Sequence, residues 1–193
     1  MKKFELTAES KINIFGKKLF RIKALISFGD VEEGEIGGWI EKEENLEQSS
    51  GDAWVYGNAR VYGDAEVSGN ARVYGDAEVS GNARVYGNAR VYGDAEVSGN
   101  ARVSGNARVS GNAEVYGNAD YTTIHGFGTQ FRTTTFFQCE DKQIRVSCGC
   151  FLGTIPEFRE QVKNTREGKI VEEYLMIADL MEKHFVKEKE SGE

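Results

Sequence analysis

Two histidines and three cysteines are the side chains of this chain most readily put to catalytic or metal-binding use. Histidine titrates near neutrality and serves as a general base when a cleft holds it beside a substrate proton. His125 lies in Thr123-Ile124-His125-Gly126-Phe127-Gly128. His184 lies near the end of a helical stretch, where a cation is favoured by the helix dipole alone. Cys139, Cys148 and Cys150, joined by His125, have the ligand types of a four-coordinate zinc site. However, C-x-C lacks the two-to-four-residue spacer of common zinc motifs, and small buried thiols are the alternative reading. The expectation is therefore no catalytic residue, no metal and no cofactor, with the cysteine-histidine set as the residual metal candidate.

The elements that must position these groups are dominated by a repeat. Residues 51–122 read as twelve hexapeptides of the form Gly-Asn/Asp-Ala-x-Val-Tyr/Ser, from GDAWVY to GNADYT. Fixed-period self-similarity outranks local propensity as a structural signal. Ala and Val stand two apart, so an extended strand points both to one side and the residues between and after them to the other. Gly followed by Asn or Asp supplies a corner. Three units close a triangle of 18 residues, and four coils stacked about 4.8 Å apart make a β-helix roughly 19 Å tall.

This pattern resembles the hexapeptide-repeat, left-handed β-helix superfamily. The layout around it, GGWIEKEENL before and CGCF with a helical tail after, resembles a group of uncharacterised prophage-encoded hexapeptide-repeat proteins. The first resemblance implies a left-handed parallel β-helix that assembles as a homotrimer. The second implies a phage or mobile-element accessory role, counter-defence included. The superfamily also contains acyltransferases, which use a histidine between protomers and an extruded cofactor loop, and γ-type carbonic anhydrases, which hold zinc on three histidines. The repeats here have neither an inserted loop nor a histidine. An ice-binding surface needs a flat threonine column, whereas the outward residues are Arg, Glu, Tyr and Ser.

Stacking sets residue i over residue i+18 and sorts the exterior into three faces. Trp54, Arg72, Arg90 and Arg108 share one with Tyr56, Tyr74 and Tyr92; Arg60, Glu78, Glu96 and Glu114 share the next; Glu66, Arg84, Arg102 and Asp120 share the third. Pairing the first two faces between protomers matches Trp54 with Arg60, Arg72 with Glu78, Arg90 with Glu96 and Arg108 with Glu114. These eight residues are the expected oligomer interface, a heterologous contact closing into a ring, with a cation–π contact at its first level. Alternatively the charges are a solvated by-product of repeat duplication, since surface ion pairs contribute only ~0–1 kcal/mol.

The flanks complete the expected fold class: mainly β, a left-handed parallel β-helix of about four coils, with an N-terminal β cap and a C-terminal α+β hairpin-plus-helices domain. The domain boundaries are 1–50, 51–122 and 123–193. Residues 1–50 read as a hairpin, strands near Phe4-Glu5-Leu6 and over 18–26, with Trp39, Ile40 and Leu46 closing the prism. Strands over 131–139 and 143–150 precede a helix opened by the capping box Thr154-Ile155-Pro156-Glu157, then a second helix over about 169–186. Phe127, Phe131, Phe136, Phe137 and Phe151 are either partner-binding anchors or the tail's own core.

Acidic residues outnumber basic ones 10 to 8 in residues 1–50, 9 to 6 in 51–122 and 12 to 10 in 123–193. With no basic segment, direct nucleic-acid binding is not expected. No apolar run reaches the ~20 residues of a membrane span. An N-terminus without an apolar signal region, and an odd number of cysteines, point to a cytoplasmic protein. The functional expectation is a non-catalytic, oligomeric binding scaffold with a host-protein partner. The alternative is an acyltransferase-like enzyme or sequestering protein with sites between protomers.

Overall fold

The computed structural model describes residues 2–185. They form two compact units that divide between Asn118 and Ala119.

The first unit opens with an antiparallel hairpin of β1 (Phe4–Ile12) and β2 (Lys18–Ala24). Its turn is fixed by Asn13, whose Oδ1 accepts from the N–H groups of Phe15 and Lys17 at 3.0 and 2.9 Å. This side-chain mimicry of a backbone turn is why Asn is favoured there. β3 (Ile36–Ile40) pairs antiparallel with β2 on one side and parallel with the repeats on the other. The parallel approach is close enough to require Gly37. A Cβ there would lie 2.6 Å from Ile22 Cγ1 and 2.7 Å from both Trp54 Cζ2 and the Val55 carbonyl.

Among the described residues, eleven two-residue strands then follow at six-residue intervals. They are β4 (Trp54–Val55), β5 (Arg60–Val61), β6 (Glu66–Val67), β7 (Arg72–Val73), β8 (Glu78–Val79), β9 (Arg84–Val85), β10 (Arg90–Val91), β11 (Glu96–Val97), β12 (Arg102–Val103), β13 (Arg108–Val109) and β14 (Glu114–Val115). At three strands per coil this is a β-solenoid of about four turns. Its walls are the parallel runs β4-β7-β10-β13, β5-β8-β11-β14 and β6-β9-β12. The 18-residue register is literal, with Arg72 opposite Arg90 and Glu78 opposite Glu96. Every repeat Ala and Val from Ala53 to Val115 is essentially inaccessible, so the interior is one dry column of small and β-branched side chains. Such packing follows from the Ala-x-Val spacing and needs no residue larger than Val.

The twelfth unit, Gly117 to Thr122, departs from the expected coil. Elsewhere the outward residue's N–H donates to the carbonyl seventeen residues on, as Arg60 to Ala77 and Arg84 to Ala101, both at 2.9 Å. At Arg102 the acceptor is instead the Asn118 side chain, at 3.0 Å. Tyr121 occupies the position that Val fills in earlier units, and a phenol ring does not fit that narrow interior. Residues from Tyr121 enter an antiparallel strand instead.

The second unit is a meander of β15 (Tyr121–Phe127), β16 (Arg132–Gln138), β17 (Ile144–Cys148) and β18 (Phe151–Thr154), followed by α1 (Ile155–Thr165) and α2 (Lys169–Phe185). The expected pair of strands is there as β16 and β17, and β15 and β18 are additional. The foreseen capping box opens α1: the Glu157 N–H donates to Thr154 Oγ1 at 3.3 Å, and the Thr154 N–H donates back to Glu157 Oε2 at 2.7 Å. Phe158, Val162, Tyr174, Ile177, Ala178 and Met181 from the two helices pack on Phe136 and Val146 of the sheet. Val186, the expected end of α2, lies outside the described residues. No helix among the described residues is long and apolar enough to cross a membrane.

Candidate functional site

The first two walls of the solenoid are the most strongly patterned surfaces of the first unit. On the β4-β7-β10-β13 wall, Tyr74 and Tyr92 stack with ring centroids 4.8 Å apart and planes 1° from parallel. The ring spacing is that of the coils themselves. Burial, followed by the neighbouring Tyr92, raises the Tyr74 hydroxyl pKa above its usual value. Arg90 stands exposed between Arg72 and Arg108 in the same column. On the β5-β8-β11-β14 wall, Glu78, Glu96 and Glu114 form a half-buried carboxylate column. Burial raises the Glu96 carboxyl pKa, and the flanking charges of Glu78 and Glu114 add to the shift. A like-charge ladder of this kind disfavours ionisation of its central member.

The upper levels of both walls are engaged within the chain, which narrows the expected interface. Trp54 is fully buried, with Phe4 and Phe28 packed edge-on against it at 6.1 and 5.5 Å. It is therefore closed to a cation from another protomer. Arg60 points down its own column and donates from Nε to Glu78 Oε2 at 3.0 Å. The Tyr62 hydroxyl also donates to Glu78, and burial together with that carboxylate raises the phenol's pKa. Arg72 is held by Asp30 through two contacts of 2.6 Å. Burial and Asp30 push the nearby Tyr56 hydroxyl up to about 12. Asp30 was invisible as a partner in the sequence, because a loop contact across 42 positions leaves no periodic signal. Lys11 and Arg21 likewise both lie on the Trp39 ring, at 4.2 and 4.4 Å from its centroid.

In the second unit the five candidate phenylalanines separate by exposure. Phe136 and Phe137 are fully buried and cannot anchor a partner, and Phe151 is half-buried against Phe158. Phe127 and Phe131 remain accessible at the β15–β16 turn, Phe131 at 64%. Phe131 has φ +47, a conformation costly for a bulky residue. The Tyr174 hydroxyl donates to the Phe127 carbonyl at 3.2 Å and ties this turn to α2.

His125 is exposed on β15, with Nδ1 3.3 Å from Thr133 Oγ1. His184 is exposed in the last turn of α2, packed edge-on against Phe185. The residual four-ligand candidate, Cys139, Cys148, Cys150 and His125, does not converge. Cys139 caps the β16–β17 turn, donating its N–H to Gln143 O, whereas Cys148 pairs with Thr134 at the other end of those strands. Among the described residues no three His, Cys, Asp or Glu side chains are placed to hold a metal ion.

Compared with known proteins, residues 53–67, 65–81, 77–93, 83–99 and 95–111 each match the YdcK beta solenoid repeat. The matched segments lie within the parallel coils, so this chain carries a β-solenoid repeat. No curated protein matches the chain.

Proposed function

We propose that the protein is a non-catalytic, oligomeric binding scaffold, a homotrimer of left-handed hexapeptide solenoids with β1–β3 as the N-terminal cap. The observation that carries this reading is the level matching of the two charged walls. Arg90 stands one strand before Glu96 in the same coil, and Arg108 one strand before Glu114. A three-fold ring of parallel prisms would set the arginine wall of each protomer against the glutamate wall of the next. It would bring a cation to Glu96, whose carboxyl pKa is raised by burial and by the neighbouring Glu78 and Glu114. The interface reading centres accordingly on Arg90 and Glu96, since Trp54, Arg60, Arg72 and Glu78 are engaged within the protomer. The exposed Phe127–Phe131 turn is the proposed anchor for a host-protein partner, in keeping with a cytoplasmic phage accessory or counter-defence factor.

Light scattering coupled to gel filtration tests the assembly. Wild type should run as three protomers, Arg90→Glu and Glu96→Arg should each weaken it, and combining the two should restore it. A wild-type monomer at micromolar concentration would dispose of the ring. Phe127→Ala with Phe131→Ala should abolish capture of the host partner and leave the trimer intact; undiminished capture would remove the turn as the anchor.

A further inference from the structure

We propose that Cys148 and Cys150 form a reversible dithiol–disulfide site on the β17–β18 turn. The two residues flank one glycine in a two-residue hairpin loop, because Cys148 pairs directly with Phe151. Gly149 has φ +64, the left-handed backbone that opens a type II′ turn. Two Cα–Cα steps of 3.8 Å folded through such a turn place the cysteine Cα atoms roughly 5.5 Å apart, within the span a disulfide bridges.

The surroundings differ for the two sulfurs, as an attacking and a resolving thiol require. Cys150 is exposed and open to an oxidant, whereas Cys148 is half-buried. Cys148 Sγ accepts a hydrogen bond from Thr134 Oγ1 at 3.2 Å, and its thiol also interacts with the Tyr174 hydroxyl. The Arg132 guanidinium lies over the turn: a Cβ on Gly149 would sit 2.4 Å from its Nη1. Cys139 is excluded from the pair by its place at the opposite end of β16 and β17.

The oxidant is a small-molecule disulfide of the glutathione class. The Cys150 thiolate attacks one of its sulfurs, forming a mixed disulfide and releasing one small thiol. The Cys148 thiolate then attacks the Cys150 sulfur, closing the protein disulfide and releasing the second small thiol. Two protein thiols are oxidised by two electrons, two protons leave the protein, and one small disulfide is reduced to two thiols. A ring spanning three residues is strained, so reduction by the same small thiol in excess reverses it readily. Cyclisation draws Cys148 Sγ away from Thr134 and Tyr174. Because the Tyr174 hydroxyl also holds the Phe127 carbonyl, the oxidation state is coupled to the exposed aromatic turn.

The test equilibrates the full chain in buffers of graded reduced-to-oxidised glutathione ratio, alkylates remaining thiols and digests with trypsin. Cys148 and Cys150 fall together in the peptide 146–159, and Cys139 in the separate peptide 133–142. The expected product under oxidising ratios is peptide 146–159 lighter by two hydrogens and unalkylated, returning to the doubly alkylated form under reducing ratios. Cys150→Ser, a change at an exposed position, should abolish that species. A stable glutathione adduct on Cys150 with Cys148 still alkylatable would overturn the proposal. So would a cross-link joining the two peptides.

Discussion

Glu96 shows how one side chain can answer for the state of the whole surface. Its folded pKa is raised, so the native protomer holds the proton more tightly than the unfolded chain does. Protonation therefore stabilises the fold, and that contribution is lost as pH rises through the raised folded value. In a monomeric preparation, Glu96→Gln should raise the melting temperature at neutral pH, and the gain should vanish at pH values low enough to protonate wild type. In an assembled ring the sign reverses, since the substitution removes the partner of an incoming arginine. Melting curves at several pH values and protein concentrations separate the two. Gly75 is a second position where one residue decides the outcome. Its φ is +75 and a Cβ there would lie 2.9 Å from the backbone nitrogen of Gly93 in the next coil, whereas Gly57, at φ +58, meets nothing within 4 Å. Gly57→Ala should cost about 1–2 kcal/mol from the left-handed backbone alone. Gly75→Ala should cost distinctly more, and equal losses in denaturant melts would show that inter-coil spacing yields easily. At this scale the columns were legible from the 18-residue register, but the partners of Arg72 and Trp54 were not. Asp30, Phe4 and Phe28 come from non-repetitive segments whose approach depends on tertiary closure rather than period.

Elements whose ends are set by local chemistry were the most readable. The α1 start follows from Thr154 and Glu157, a reciprocal pair that satisfies two backbone N–H groups otherwise left without helical partners. Thr154→Ala should destabilise the second unit by about 1 kcal/mol, and Thr154→Ser should restore most of it, as read by thermal melts. Hydrogen bonds from the Thr154 backbone and hydroxyl hold the Glu157 carboxyl below its usual range. The cap's contribution is thus present at neutral pH and declines as pH falls through the lowered folded value, so Thr154→Ala should matter less in acid. Tyr174, Ile177 and Met181 of α2 face the core at helical spacing, with Ala178 beside them. β15 and β18 escaped detection for different reasons. β15 borrows Tyr121 and Thr122 from the last repeat-like unit, where the hexapeptide pattern masked the change of structure. β18 is four residues containing a glycine, too short for alternation to register.

The molecule combines a unit whose architecture is written in its repeat with one whose architecture is not. In the solenoid each coil pairs with the coils directly before and after it, so the sequence period is the structural period. The sheet-and-helix unit depends on contacts such as Phe136 with Phe158 and Tyr174 with the Phe127 carbonyl, which no period announces. The same contrast covers the five candidate phenylalanines: Phe136 and Phe137 are neighbours on one strand and so face opposite sides of the sheet, yet both are buried, which no local pattern announces. The two parts of the solenoid itself obey different symmetries. Its interior repeats every six residues, because every unit offers the same Ala and Val; its exterior repeats every eighteen. A deletion of residues 81–98 is a symmetry operation for both; it removes Arg90 and Glu96 but keeps Arg108 level with Glu114, and should leave a shorter prism that folds and assembles more weakly than wild type. A deletion of residues 81–86 is a symmetry operation for the interior alone. It should fold equally well, yet it carries Glu96 onto the wall of Arg72 and Arg102 onto the wall of Glu78. Circular dichroism should not distinguish the two proteins, and light scattering should. If both assemble alike, the sorted exterior is an accident of duplication rather than an address.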